Sequence, residues 1–385
     1  MNVKISNSFF LFIVWSEIKC MGVKLQNIIN RKIIGFPQLA GNIIAVDVPN
    51  IVMALFSFAR KNPDGTNAGL ILDRTQRPIS HLYGLLYRLN FYYSKKIFPI
   101  FCFDGRDSEL KRQITKDQLK DFRFTQKWYN SALKSGNREK AKEIALSKEY
   151  LWQNIMLESK QLLGALGVPF IESPASAESQ CAYLVKQGFA TYSNSQDFDS
   201  LLFGCPSLLQ NLSKSLRRKV LGKWTYNKVT PFHTNLSKNL KRLKINQFQL
   251  VDIGLLIGTD YFPGIKGIGP KKALIYIKKH IQVENVIREE KKQFGFSMLT
   301  SEIIKKVRKI FLFPEVNKSV SNFYWNLPNK AHIFSLLCES HHLNRERVEN
   351  NVDKLILSYQ KCKKYHQTVR KQPSSVQLTL DTMAK

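Results

Sequence analysis

Short apolar runs alternate along the chain with longer segments in which apolar residues recur at helical spacing. The runs predict strands at residues 42–48, 97–105, 167–172 and 189–199. The segments HLYGLLYRLNFYY (81–93) and YLWQNIMLESKQLLGAL (150–166) predict helices between them. Strands that are apolar throughout and separated by helices are typical of a mostly parallel sheet covered on both faces. The pattern therefore predicts an α/β fold.

Three segments depart from this alternation. Residues 106–150 are rich in charged and polar residues with interleaved aromatics, which predicts a helical excursion standing away from the core. Residues 235–280 are again helical, but the glycine-rich stretch PGIKGIGP (263–270) interrupts them. Beyond about residue 360 the chain is basic and polar, which predicts a mobile tail.

Charge narrows the choice of partner. The 385 residues carry 59 basic against 29 acidic side chains, a net charge of +30 that is spread over the chain. Such an excess predicts a polyanionic partner, with nucleic acid first. An acidic membrane surface and a generally basic proteome are the alternatives. An apolar content of 44% excludes an intrinsically disordered chain.

The six cysteines are widely scattered and form no C-x-x-C pair. This spacing argues against a zinc site and against a disulfide framework, and it favours a reducing, intracellular compartment.

Residues 1–20 form an apolar leader, MNVKISNSFFLFIVWSEIKC. Its stretch FFLFIVW is too short to span a bilayer. The following SEIKC lacks the small residues of a signal-peptide cleavage site. A start at Met21 is the third interpretation of this leader.

Acidic residues are few, and several of them follow predicted strands directly. Asp47 closes one strand, Asp104 closes the next, and Asp197 and Asp199 follow a third. The carboxyl ends of parallel strands share one edge of the sheet, where open α/β sheets place their sites. The sequence therefore predicts that these side chains lie close together.

Two further acids are predicted at the same edge. Asp260 ends the apolar run LLIGT, and Glu178 begins a predicted helix. Six carboxylates at one edge repel one another unless cations lie between them. Oxygen ligands without histidine or cysteine select Mg²⁺ or Mn²⁺, and two such ions roughly 4 Å apart suit phosphodiester hydrolysis. Taken singly, each acid has an ordinary alternative as a loop or helix-cap residue.

The segment IGTDYFPGIKGIGPKKAL (257–274) predicts a helix, a tight turn and a second helix. Gly267 and Gly269 allow close approach of a phosphate to the backbone, and Pro270 suits the first position of the second helix. This helix–hairpin–helix arrangement is typical of proteins that grip a duplex backbone without recognising its sequence. The neutralising charges are Lys266, Lys271 and Lys272. A plain helix–turn–helix with solvated lysines is the alternative.

Together these segments resemble the flap endonuclease family, the structure-specific 5′ nucleases related to XPG. The matching segments are MGVKLQNII (21–29), IIAVDV (43–48), SHLYGLLYR (80–88), FDGRDSELK (103–111), SQDFDSLLFG (195–204) and IGTDYFPGIKGIGPKKAL. The correspondence runs in order from Met21 to about residue 350. SQDFDSLLFG and the lack of zinc motifs resemble the archaeal flap endonuclease 1 branch most.

The resemblance implies a PIN-like α/β core, a helical arch that single-stranded 5′ flaps thread, and a helix-two-turn-helix segment that binds K⁺ and the downstream duplex. It implies two Mg²⁺ ions, for which Mn²⁺ can substitute. Lys111 matches a lysine that stabilises the scissile phosphate, Asp197 counts among the catalytic acids, and Arg88 matches a DNA-contacting arginine. The implied metal ligands are Asp47, Asp104, Glu178, Asp197, Asp199 and Asp260.

The implied activity is cleavage of branched DNA as a 5′ flap endonuclease with 5′–3′ exonuclease activity, in replication and repair. The expected partner is DNA with 5′ flaps or branched duplex ends, bound by a monomer with no membrane contact. The expected place is the cytoplasm, at the nucleoid, or the nucleus if the source is eukaryotic.

The expected organisation follows the resemblance along the chain. A leader (1–20) precedes an N-terminal nuclease region (21–122) that overlaps a helical arch (106–150). An internal nuclease region (151–256), a helix–hairpin–helix segment (257–285), a C-terminal helical region (286–360) and a basic mobile tail (361–385) follow. Because the family begins at Met-Gly beside its active site, Met21 is the expected functional start; a functionless extension is the alternative.

Three positions depart from the family pattern at the expected active site. Ser176 stands where the family has a seventh acid, with Glu172 or water as its possible substitute. Gln118 replaces an arginine of the arch, and Met53 replaces a stacking aromatic residue.

The tail VQLTLDTMAK resembles a motif that binds the sliding clamp through Gln377, Leu380 and Met383, but it lacks the two aromatic residues of that motif. Weak or absent clamp binding, or a disordered end, is therefore expected.

Two hypotheses of function remain at this stage. The first is a flap endonuclease whose activity is reduced or whose metal dependence is altered by Ser176 and Gln118. The second is a DNA-binding protein of the same fold that holds branched DNA without cutting it. A membrane-anchored protein is a distant third.

Overall fold

The computed structural model describes residues 22–56, 71–105, 112–213, 216–220, 223–227, 229–320 and 322–371. The leader 1–20, Lys111 and the clamp-motif residues Gln377, Leu380 and Met383 lie outside these ranges.

Seven strands form one sheet in the order β1-β9-β6-β5-β2-β3-β4, and two more form a hairpin. Strands β2 to β6 of the main sheet pair in parallel, while β9 runs antiparallel to β6 and β1. The mostly parallel sheet predicted from the sequence is thus confirmed. The strands are β1 (Lys32–Ile33), β2 (Ile43–Asp47), β3 (Phe98–Phe103), β4 (Phe170–Glu172), β5 (Tyr192–Asn194), β6 (Ser207–Gln210), β7 (Leu216–Val220), β8 (Lys223–Asn227) and β9 (Phe232–Asn235), with β7 and β8 forming the hairpin.

The helices occupy the connections between strands and most of the chain after β9. They are α1 (Phe36–Leu39), α2 (Val48–Phe56), α3 (Ser80–Ser94), α4 (Arg112–Lys134), α5 (Arg138–Ala145), α6 (Lys148–Ala165), α7 (Ala177–Lys186), α8 (Asp199–Leu202), α9 (Leu236–Leu243), α10 (Gln247–Ile257), α11 (Pro270–His280), α12 (Val283–Glu290), α13 (Ser301–Leu312), α14 (Lys330–Phe334) and α15 (Arg345–Lys371), with a π-helical turn at Ser335–Ser340.

The sheet separates two hydrophobic cores. Along β2, Ala45 faces one core and its neighbours Ile44 and Val46 face the other, as the alternation of side chains along a strand requires. The first core includes residues of α7, α8 and α10 to α13, and the second includes residues of α3, α6 and α15. Because both faces are covered, strand β3 is apolar along its whole length, and β2 is apolar as far as Val46.

Residues 112–150 form a helical unit with a small hydrophobic cluster of its own. The cluster contains Tyr129 and Ala132 of α4, Ala141 and Ile144 of α5, and Tyr150 of α6. This cluster is separate from both cores, and most of the described residues of the segment are helical, as the sequence predicted. Two aromatic side chains of α4, Phe124 and Trp128, are 59% and 65% exposed.

Two predicted boundaries are wrong. The strand predicted at 189–199 ends at Asn194, because the chain turns there and Asp199 begins α8. The tail predicted from residue 361 is helical as far as Lys371, since α15 packs on the second core and buries Cys362. By contrast, Asp260 follows the helix α10, within the segment 235–280 that was predicted to be helical.

Within the described ranges, no helix is long and apolar enough to cross a membrane. Five cysteines are described, and all five are free thiols: Cys102, Cys181, Cys205, Cys338 and Cys362.

Candidate functional site

Parallel pairing brings the carboxyl ends of three neighbouring strands to one edge. In register, Asp47 at the end of β2 lies opposite Cys102 of β3, and Val46 lies opposite Asn194 at the end of β5. Asp104 follows β3 directly, and Asp197 follows β5 after a turn. The sheet therefore brings together these acids, which lie far apart in the sequence.

Asp104 ties this edge to the start of α7. Its Oδ1 accepts a hydrogen bond of 2.7 Å from the backbone N–H of Ala177, the first residue of that helix. The next residue must be glycine, because a Cβ on Gly105 would lie 1.7 Å from the carbonyl oxygen of Ser173. This close packing places Glu178, in the first turn of α7, beside the strand ends.

Asp199 and Asp197 contact the first described residues of the chain. The N–H of Val23 lies 3.2 and 3.3 Å from the two carboxylate oxygens of Asp199. A Cβ on Gly22 would lie 2.6 Å from the Cβ of Asp197. The backbone at Gly22 therefore lies directly against the acidic cluster, where a larger residue does not fit.

The carboxylates interact electrostatically as one cluster. Burial and the charge of Asp104 raise the pKa of Asp47 to about 8. Burial and the charge of Asp260 raise the pKa of Asp197 to about 6. Burial raises the pKa of Glu178 well above its ordinary value, and the charges of four neighbouring aspartates raise it further. Those four are Asp199, Asp47, Asp197 and Asp260.

The donor set fits hard divalent cations. The six side chains offer carboxylate oxygens, which Mg²⁺ and Mn²⁺ prefer, and their mutual repulsion is relieved by positive charge. Among the described residues, no three acidic, histidine or cysteine side chains converge as a preformed site for one ion. Mg²⁺ keeps several water ligands when it binds carboxylates, so the residues that would hold it need to supply only part of its coordination.

These shifts predict how the stability of the metal-free protein depends on pH. When folding raises the pKa of a carboxyl group, the group makes its full contribution to stability only below its pKa in the unfolded chain. That value is 3.8 for Asp47 and Asp197. That contribution is lost as the pH rises through the folded values of about 6 and about 8. The melting temperature in EDTA is therefore expected to fall between pH 5 and pH 8.

Calorimetry across this pH range, with and without Mg²⁺, checks the prediction. Mg²⁺ at pH 8 should restore much of the lost stability, because it binds the ionised carboxylates of the folded state. A melting temperature that is flat with pH and indifferent to Mg²⁺ would contradict it.

Ser176 caps α7. Its hydroxyl oxygen accepts a hydrogen bond of 3.2 Å from the backbone N–H of Ser179, the third residue of the helix. Glu172 does not take the place of the missing acid, because its Oε1 pairs with the Nζ of Lys160 at 2.9 Å and its side chain is 60% exposed. Gln118 falls on α4 and Met53 on α2.

The segment after α10 forms the predicted turn between two helices. Gly267 has φ +86°, a conformation that favours glycine, and Pro270 is the first residue of α11. A Cβ on Gly269 would meet nothing within 4 Å, so the backbone there faces open space. The lysines Lys266, Lys271 and Lys272 are exposed on this turn, and Lys272 also lies over the ring of Phe294 at 5.3 Å.

Arg88 lies on α3 and is half-buried. Its Nη1 donates a hydrogen bond of 2.5 Å to the carbonyl oxygen of Leu212. The guanidinium group is therefore tied to the backbone at Leu212. Only its remaining N–H groups are left for the DNA contact that the family resemblance implies.

Two polar residues at the site have no counterpart in the sequence-based prediction. Ser195 donates from its hydroxyl to Asp47 Oδ2 at 2.8 Å. Asn50 donates from Nδ2 to Asp197 Oδ2 at 2.7 Å. The only signal in the sequence is their closeness to the two aspartates, which by itself does not distinguish them from ordinary turn residues.

Comparison with known proteins gives a consistent result. The XPG I-region family model matches residues 167–260, a span that contains four of the six acids. Flap endonuclease 1 of Staphylothermus marinus is 36% identical over 347 residues, which cover 88% of this chain and 95% of that protein. Flap endonuclease 1 of Archaeoglobus fulgidus is 35% identical over 335 residues, covering 87% and 96%.

Solved structures agree with these matches. Flap endonuclease-1 from Methanococcus jannaschii has a TM-score of 0.65 and 25% sequence identity, and the match covers 88% of this chain and 99% of that one. The catalytic core of Rad2 in complex with a DNA substrate has a TM-score of 0.60 at 20% identity, covering 85% and 96%. At 20% identity, the similarity to the Rad2 core is evidence for a shared fold only.

Proposed function

Because the chain belongs to the flap endonuclease family of XPG nucleases, we propose that it is a structure-specific 5′ flap endonuclease with 5′–3′ exonuclease activity. The observation that carries this proposal is the cluster of six carboxylates at one edge of the sheet, with raised pKa values for Asp47, Asp197 and Glu178. Such a cluster is suited to cations and to phosphodiester hydrolysis rather than to direct contact with an anionic backbone.

In the proposed mechanism the protein binds the DNA, positions the scissile bond and holds the metal. The residues that would hold two divalent ions are Asp47, Asp104, Glu178, Asp197, Asp199 and Asp260. Such ions polarise the phosphoryl oxygens and lower the pKa of bound water. Lys111 is proposed to neutralise the scissile phosphate, and Arg88 to contact the DNA.

The turn between α10 and α11 is proposed to hold the duplex. Exposed lysines, the positive φ of Gly267 and the open backbone at Gly269 suit phosphate groups without selecting a base. K⁺ at this turn, DNA binding as a monomer and weak clamp binding through Gln377, Leu380 and Met383 are part of the proposal. So is a functional start at Met21, supported by the contact of Gly22 with Asp197.

A second candidate, a protein that holds branched DNA without cutting, is favoured by one observation. Ser176 supplies a helix cap where the family has an acid, so the local fold tolerates the loss of a charge beside the cluster. Removal of one preorganised electrostatic group typically slows a reaction by about 10²–10³-fold. Six carboxylates remain, and for this reason we favour reduced or altered metal dependence over loss of cleavage.

Cleavage of a labelled double-flap DNA by protein that starts at Met21 tests the proposal. The reaction is titrated with Mg²⁺ and then with Mn²⁺, beside the variants Asp197→Ala and Ser176→Glu. We expect the parent to cut, Asp197→Ala to cut about 10²–10³-fold more slowly, and Ser176→Glu to need less metal because it adds a ligand charge.

Binding is measured on the same DNA across a range of salt concentrations. Both candidates predict strongly salt-dependent affinity, so binding alone does not separate them. A parent that binds the flap but cuts no faster than Asp197→Ala at any metal concentration would establish the holder and refute the nuclease.

A further inference from the structure

One side-chain amide connects two of the clustered aspartates. Asn50 lies in the first turn of α2, three residues after Asp47. Its Nδ2 donates to Asp197 Oδ2 at 2.7 Å, and its backbone N–H lies 3.4 Å from Asp47 Oδ1. A neutral residue thus contacts both acids, although they follow different strands.

The orientation of this amide is determined by its other partner. The backbone N–H of Gln196 donates to Asn50 Oδ1 at 3.0 Å. A backbone N–H can only donate, so the oxygen of the amide must face it and the NH₂ group must face Asp197. The hydrogen bond to the carboxylate therefore has a fixed direction.

The turn that carries Gln196 is itself held in place. The carbonyl oxygen of Gln196 accepts a hydrogen bond of 2.7 Å from Gln210 Nε2, and Oε1 of Gln196 accepts one of 3.2 Å from the N–H of Asn211. Both partners lie at the end of β6, the strand next to β5. Asn50 is thereby fixed to the sheet and not only to a surface loop.

Asp197 is confined on two sides. Gly22 packs against its Cβ, at a distance that leaves no room for a side chain. Asn50 engages one of its two carboxylate oxygens, which limits rotation of the carboxylate group. Ser195 completes the link, because its hydroxyl donates to Asp47 Oδ2 and accepts from the N–H of Asp197 at 3.3 Å.

We propose that Asn50 is a positioning residue that sets the divalent-metal affinity of the cluster by holding the carboxylate of Asp197 in a fixed orientation beside Asp47. This inference rests on the proposed function, since it assumes that the cluster binds metal. Without the Asn50 amide, the like-charged carboxylates of Asp47 and Asp197 move apart. A metal ion must then bring them together again, and the free energy that this requires weakens its binding. Loss of an outer partner of a metal ligand typically costs about 10–100-fold in metal affinity or activity.

Binding of Mn²⁺ to the full-length chain in the absence of DNA tests the proposal. The electron paramagnetic resonance signal of free Mn²⁺ gives the dissociation constant of the parent and of Asn50→Ala. We expect Asn50→Ala to bind Mn²⁺ about 10–100-fold more weakly. In flap cleavage the same variant should need correspondingly more Mg²⁺, with its rate at saturating metal and its DNA affinity close to those of the parent.

Asn239→Ala is the matched control. Asn239 is also a hydrogen-bonded asparagine that joins distant segments, through Nδ2 to the carbonyl oxygens of Asn30 and Asn235, but none of its described hydrogen bonds involves a carboxylate. It should lower the melting temperature and leave Mn²⁺ affinity unchanged. If Asn50→Ala only lowers the melting temperature in the same way, the residue is structural and the proposal is wrong.

The outcomes separate this proposal from the proposed function. A parent that binds Mn²⁺ and cuts, with an Asn50→Ala variant of equal Mn²⁺ affinity, overturns the role of Asn50 alone. A parent that binds no Mn²⁺ overturns both, because no ion is then positioned. Weaker Mn²⁺ binding by Asn50→Ala, with unchanged binding by Asn239→Ala, establishes the positioning role.

Discussion

Replacing Asp47 with asparagine is expected to slow flap cleavage by about 10³-fold and, at the same time, to stabilise the metal-free protein at pH 8. Asp47 is 3% exposed, and burial and neighbouring acids raise its pKa to about 8. Asparagine has nearly the same shape but no charge, so it removes a proposed metal ligand together with the repulsion that the ionised group causes.

The size of the stabilisation follows from the pKa shift. Each pKa unit corresponds to about 1.4 kcal/mol, so a gain of at least that amount in the free energy of unfolding is expected at pH 8. At pH 5 the gain should be smaller than at pH 8, and it should vanish only below the unfolded pKa of 3.8, where the carboxyl group is protonated in both the folded and the unfolded parent. Added Mg²⁺ should reverse the order, since only the parent keeps the full set of ligands.

Urea unfolding in EDTA at both pH values, together with single-turnover cleavage, measures both effects. Asp353→Asn is the matched control: it removes the same charge from an exposed pair with Lys330, at 2.6 Å, and should change neither quantity by much. An Asp47→Asn variant that cuts at the parental rate would contradict the proposed metal site. A variant that is less stable than the parent at pH 8 would contradict the electrostatic account of the cluster.

Replacing Glu158 with alanine is expected to destabilise the fold by about 3–5 kcal/mol, the usual cost of breaking a buried ion pair. Glu158 lies on α6, is 4% exposed and sits between two fully buried histidines. His81 Nε2 is 3.0 Å from Glu158 Oε2, and His341 Nε2 is 3.3 Å from Glu158 Oε1. Arg77 Nη1 lies 3.4 Å from the same Oε1.

This buried cluster joins four parts of the chain. His341 also pairs through Nδ1 with Asp73 Oδ2 at 2.7 Å, which links the C-terminal helices to the loop before α3. Burial alone would raise the pKa of Glu158, but hydrogen bonds from His341 and His81 outweigh burial and lower it below its ordinary value. The carboxylate is therefore ionised, and removing it leaves the buried Nε2 atoms of His81 and His341 without their partner.

Urea unfolding of Glu158→Ala and of Glu172→Ala measures this effect. Glu172 also pairs with a cation, Lys160, but its side chain is 60% exposed, so its loss should cost less than about 1 kcal/mol. Equal stability of the two variants would show that the buried cluster contributes no more than a surface ion pair. Glu158→Gln, which keeps the shape but not the charge, should lie between them.

Much of the fold could be predicted because its signals are local. Apolar runs of strand length separated by helical segments are sufficient to predict a parallel sheet, and the structure has a parallel strand at each of the four predicted runs. A fifth parallel strand, β6, was not predicted. Prediction failed at the element ends. Residues 195–199 look extended by composition, but the chain turns after Asn194, where the hydrogen bonds of Ser195 and Gln196 to distant residues determine its course.

The sequence by itself determined the candidate site as a set of residues. Acids that follow apolar strands must gather at one edge once those strands pair in parallel, and the quoted motifs identify the family. Only the tertiary structure decided how these acids are held. Asn50, Ser195 and the backbone at Gly22 and Val23 come from different elements, and their contacts depend on distances that sequence spacing does not encode. The same holds for Glu158, whose polar neighbours in the sequence give no sign that two histidines and an arginine meet it in the interior.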